Sequence, residues 1–208
     1  MFNFKTVLRH ALAAIALATT ALAAHAGPTY HVTVDSSAST AGDAGFLDLF
    51  LAGFGGGAEA LATVSNLQGN IVGVDPYSQM VSEPSPGVFV LSSVLGSYLS
   101  NDVLLGGMFS FDVTFSGDFL TTSAPFQYQN LFDVTLYSAS ADVLANVQLQ
   151  LNQLSDAGAA SVTVLPGAFN ADATLVAAAV PEPSEWLLMM TGLGLVGCMV
   201  RRRKAVAA

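Results

Sequence analysis

The stretch FSFDVTFSG, residues 109–117, decides the class of fold. Phe109, Phe111, Val113 and Phe115 alternate with Ser110, Asp112 and Thr114. A period of two belongs to a β-strand, whose successive side chains point to opposite faces. One face of this segment is bulky and apolar, and the other is polar. The same alternation occurs upstream in TYHVTVD, residues 29–35, with Tyr30, Val32 and Val34 set against His31, Thr33 and Asp35. It occurs downstream in LFDVTLYS, residues 131–138, with Phe132, Val134 and Leu136 set against Asp133, Thr135 and Tyr137.

Around these three lie further strand candidates: GFLDLFLAGF (45–54), ALATVSNL (60–67), NIVGV (70–74), GVFVLSSVL (87–95), VLANVQLQL (143–151), ASVTVL (160–165) and ATLVAAA (173–179). Gly, Asn, Asp, Ser and Pro separate them. Many short alternating strands at close spacing predict an all-β body, an antiparallel β-sandwich or jelly roll, over residues 27–179. The Ala-rich stretches 58–62 and 171–179 offer short helices as the alternative.

Charge is distributed unevenly along the 208 residues. All six basic residues lie at the ends, as Lys5, Arg9, Arg201, Arg202, Arg203 and Lys204. All 15 acidic residues fall between Gly27 and Val200. A body with acids and no Lys or Arg repels phosphate backbones, which excludes nucleic acid as a partner.

The N-terminal basic residues belong to an export signal over residues 1–26. MFNFKTVLRH is a positive leader and ALAAIALATTALAA is an apolar segment. Ala24 and Ala26 are the small residues that signal peptidase reads, with cleavage before Gly27. Export by the Sec route follows. Removal of His10 and His25 leaves His31 as the one histidine.

At the other end, residues 186–200 carry no charge. As a helix they span about 22 Å, short of the roughly 30 Å hydrocarbon core, yet long enough to stall during translocation. Arg201, Arg202, Arg203 and Lys204 form a basic stop that stays cytoplasmic. The body is then held outside the inner membrane. Pro181 and Pro183 keep the segment before the helix extended and accessible.

Val180-Pro181-Glu182-Pro183-Ser184, the apolar stretch and the RRRK cluster, in that order, resemble the PEP-CTERM sorting tail of Gram-negative bacteria. The resemblance covers residues 180–208. It implies that Pro181, Glu182 and Pro183 are read by an exosortase, a membrane transpeptidase-like enzyme. It also implies cleavage near the motif, and release or attachment at the cell surface in species that make exopolysaccharide. The run from TYHVTVDSS (29–37) through GFLDLFL (45–51) and TVSNLQG (63–69) is similar to the body of some PEP-CTERM proteins of unassigned function.

The residues do not suggest an enzyme. His31 is the sole mature histidine and sits on the polar parity of its strand, with no partner that the sequence selects. Cys198 is the only cysteine, so no internal disulfide forms. Asp48 stands out because Phe46 and Phe50 share its face while Leu47, Leu49 and Leu51 fill the other. A partly buried carboxylate needs partners, and with no Lys or Arg these are backbone N–H groups, solvent, His31 or a metal. Oxygen-rich, thiol-free surroundings make Ca2+ the cofactor to look for, with Asp48 the first candidate ligand and Asp35 the second.

Two functional classes remain. One is a non-catalytic cell-surface or extracellular-matrix protein associated with exopolysaccharide or biofilm. The other is a carbohydrate-binding module of sandwich type, with Tyr77, Tyr98, Tyr128 and Tyr137 as the aromatic candidates.

Overall fold

The computed structural model describes residues 27–54, 57–94, 96–123, 129–154 and 160–176. The chain divides at Val176. The expected export signal and the expected sorting tail lie outside the described residues.

The described residues form twelve strands and one 3-10 turn at Asp118–Leu120. The strands are β1 (Thr29–Asp35), β2 (Ala44–Phe54), β3 (Leu61–Gln68), β4 (Ile71–Val74), β5 (Val81–Ser85) and β6 (Val88–Ser92). They continue as β7 (Ser97–Leu104), β8 (Met108–Ser116), β9 (Gln129–Ser138), β10 (Val143–Asn152), β11 (Ser161–Val164) and β12 (Ala171–Val176). Two six-stranded sheets result, in the orders β12-β1-β8-β3-β6-β5 and β11-β10-β9-β2-β7-β4. Every pairing is antiparallel.

Alternation places the core. Tyr30, Val32 and Val34 of β1, Phe109, Phe111, Val113 and Phe115 of β8, and Phe132, Val134 and Leu136 of β9 are all buried. Both sheets contribute to this one cluster. Phe115 of the first sheet meets Phe132 of the second edge to face, with centroids 5.5 Å apart. That is a favoured aromatic geometry. Tyr30 reaches across the layer and its hydroxyl donates to the Val162 carbonyl of β11 at 2.9 Å. At the edge of this layer Gly27 is obligatory, because a Cβ there would overlap the Phe115 carbonyl.

The sequence reading changes at four places. GFLDLFLAGF and its companions form strands, but GVFVLSSVL is not one strand: β6 stops at Ser92 and the chain turns before β7. Strand β7, SYLSNDVL, escapes the alternation rule because its inward positions Ser97 and Asn101 are polar and buried. Ser97 is accommodated by hydrogen bonds, accepting from the Ser92 N–H at 2.8 Å and donating to the Met80 carbonyl at 2.7 Å. Strand β5 contains Pro84, which a sheet tolerates at its edge, and β5 is an edge strand. The helical alternative does not hold for the described Ala-rich residues. Ala62 faces the core of β3, and Ala171–Val176 pairs with β1.

Candidate functional site

The outer face of the second sheet carries the candidate site. Inward Leu47, Leu49 and Leu51 force Phe46, Asp48 and Phe50 of β2 outward. Register then sets Asp48 opposite Ser100 of β7 and Thr135 of β9, Phe46 opposite Tyr137, and Phe50 opposite Tyr98. Beyond β7 the Asp75 N–H donates to the Ser100 carbonyl at 2.9 Å. Asp75, Ser100, Asp48 and Thr135 thus form one row across four adjacent chain segments.

The turn after β4 is fastened to β7. The Asp75 carboxylate accepts from the Tyr77 N–H at 2.7 Å, an Asx turn. Gln79 and Tyr98 exchange backbone hydrogen bonds at 2.7 and 3.0 Å. The Ser78 hydroxyl accepts from the Ser100 N–H at 3.0 Å. This turn holds Tyr77 over the sheet with 78% of its surface exposed. Phe46, Asp48, Asp75, Tyr77, Tyr98, Ser100 and Tyr137 then line one open groove of about 370 Å3.

Asp48 is half-buried, and its partners are two hydroxyls from the neighbouring strand. Tyr98 donates to Oδ2 and Ser100 to Oδ1, each at 2.6 Å. The sequence points instead to backbone N–H groups, solvent, His31 or a metal. His31 instead lies in the other sheet, 2.7 Å from Asp112. Asp112 also accepts from the Asn66 amide, and that bond first, then His31, holds its carboxyl below the usual range. Burial chiefly, with the Asp48 hydrogen bond next, pushes the Tyr98 phenol up to about 12; the charges of Asp48 and Asp75 act in the same direction.

Of the expected ligands, Asp35 ends β1 in the first sheet, exposed, and accepts from the Ser37 N–H at 2.8 Å. That bond keeps its carboxyl below the ordinary value. The fold does not bring it to Asp48. No group of three or more His, Cys, Asp or Glu suited to a metal occurs among the described residues. Of the candidate tyrosines, Tyr77, Tyr98 and Tyr137 converge on the groove, while Tyr128 lies outside the described residues. Asp75, Ser100 and Ala141 are the lining residues that sequence reasoning missed. The Asp75-Pro76 pair is a turn signal that could have found one of them.

A second groove, of about 430 Å3, opens where β3, β4 and β6 approach. It is lined by apolar residues such as Leu67, Ile71 and Phe89, with the buried Asn101 beside them. Its lining has no exposed aromatic beside a carboxylate, the feature that distinguishes the first groove. Among the described residues no helix is long and apolar enough to cross a membrane. The basic stop at 201–204 and the Pro181, Glu182, Pro183 motif lie outside the described residues. No protein-family model, curated protein or solved structure matches this chain.

Proposed function

We propose that this is an exported, exosortase-sorted surface or matrix protein without catalysis, whose body binds saccharide through the Tyr77–Tyr98–Tyr137 groove. The observation that carries the reading is the convergence of these three tyrosines, from separate segments, around Asp48. Sugars are recognised by flat apolar rings that cover their C–H faces and by a few placed polar groups that fix their hydroxyls. The groove offers both. The body is a sandwich of jelly-roll type. Supporting this, β1 pairs with β8, β2 with β7 and β3 with β6, the pairing that rolling one long hairpin produces. Jelly rolls include lectin domains, an analogy of scaffold alone.

The sorting half of the proposal rests on the tail residues Pro181, Glu182 and Pro183 and on the basic stop. Signal peptidase and exosortase are the processing partners, and the inner membrane holds the chain in passing. The cell surface or the exopolysaccharide matrix is the destination.

The test is a glycan array followed by titration of residues 27–179, whose core residues all lie between Tyr30 and Ala173. Trp186 is the one tryptophan, so this unit reports through tyrosine emission. Saturable binding that changes this emission is expected. Tyr77→Ala should weaken it about tenfold, the worth of one good aromatic contact. Binding to no glycan would reduce the body to a structural role.

A further inference from the structure

Resting on that saccharide reading, we infer that the ligand is a basic one: an amino sugar with a free ammonium group, as in a deacetylated hexosamine polymer, seated on the row Asp75–Ser100–Asp48.

The polar groups along the row Asp75–Ser100–Asp48 are arranged to accept. Tyr98 and Ser100 already spend their hydroxyl protons on Asp48. Their remaining lone pairs, with those of both carboxylates, are what an incoming molecule meets. Such a surface asks its ligand for donors. An ammonium supplies three N–H donors and a positive charge on one atom. The two carboxylates stand on segments separated by β7, so their backbones are about 10 Å apart at ordinary strand spacing. That suits a ligand bridging the row better than one ion held by both acids.

Charge excludes the opposite class. Between Gly27 and Val200 there is no Lys or Arg. A uronate or phosphorylated sugar would therefore bring its anion to two carboxylates with no cation to receive it. Burial is the chief cause of the upward shift of the Tyr98 phenol, and the charges of Asp48 and Asp75 add to it in the sense of a negative potential. Asp102 and Asp133 share this outer face, opposite Phe46 and Phe50. Asp133 is occupied by the Gln148 amide at 2.7 Å and by Thr135 at 2.8 Å. Aromatic rings beside the row add attraction for a cation, which an uncharged N-acetyl group does not receive.

The experiment titrates residues 27–179 with four tetrasaccharides: glucosamine, its fully N-acetylated form, glucose, and a uronate. The glucosamine tetramer is expected to bind at least about tenfold more tightly than the acetylated one, and the uronate not at all. In Asp48→Asn with Asp75→Asn that preference should vanish, while Asp172→Asn, in the other sheet, should keep it. Equal affinity for the two hexosamine tetramers overturns the ammonium inference and leaves the saccharide reading intact. Binding of none of the four, on a protein that the array also finds inert, overturns both. Equal loss of preference in Asp172→Asn would show general attraction between an acidic body and a basic polymer, and overturns the site. The comparison on the unaltered protein stands even where a variant fails to fold.

Discussion

Asp48 has two hydroxyl donors at 2.6 Å and no cationic partner among the described residues. Burial first, and its hydrogen bond to Asp48 second, raise the Tyr98 phenol from 10.0 to about 12. Spectrophotometric titration near 295 nm should therefore show two late phenols, that of Tyr30, which burial also raises, and that of Tyr98. Asp48→Asn should lower the Tyr98 phenol without returning it to 10, because burial is the larger cause. Across pH 10 to 12 the folded chain keeps a proton that the unfolded chain releases. Stability from this group is thus complete below pH 10 and is lost as pH climbs through that window. Tyr98→Phe should flatten the alkaline decline in melting temperature. Asp112 works in the opposite sense: its depressed carboxyl contributes above the ordinary carboxylate range, and that contribution fades as acid protonates it. Calcium is a competing occupant for Asp48. With Asp75 about 10 Å away across β7 and no group of three acids or other metal-ligating side chains among the described residues, melting midpoints in Ca2+, in Mg2+ and in chelator at equal ionic strength should agree. A rise of several degrees in Ca2+ alone, abolished by Asp48→Asn, would put a metal in the groove instead.

At the scale of strands, inward and outward parity sets both core and site, and a slip of one residue would exchange them. Phe111→Ala or Phe132→Ala, each fully buried, should cost about 3–5 kcal/mol in denaturant unfolding. Phe50→Ala, on the outer face with 38% of its surface exposed, should cost about 1 kcal/mol or less. Similar losses from all three would contradict the register. The alternation that fixes this was legible at β1, β8 and β9 because their inward residues are uniformly apolar. It was not legible at β7, where Ser97 and Asn101 face the core, nor at β5, where Pro84 reads as a breaker until the strand is known to be an edge. The site was legible in its parts: Asp48 for its apolar neighbours, and the tyrosines for their chemistry. Their meeting was not, because it depends on the pairing of β2 with β7, about 50 residues apart, and on the Asp75 turn being fastened to β7. Long-range pairing of this kind leaves no local trace in composition or period.

The whole chain divides its chemistry by position: basic residues and apolar runs at the ends, acids and tyrosines in between. Pro181→Ala together with Pro183→Ala should leave export intact and block processing, so that precursor accumulates in the inner membrane of a host with exosortase. Unchanged release would make the motif incidental. Replacing Arg201, Arg202 and Arg203 with Ser should act otherwise, weakening the stop and letting the tail slip through. The proposed activity of the body rests on one face of one sheet. The most direct measurement is amide NMR mapping of residues 27–179 titrated with the saccharide that binds most tightly. The account expects shifts concentrated at residues 46–50, 75–79, 98–102 and 135–141. Shifts on the outer face of β12, β1 and β8, around His31 and Asp112, would contradict it.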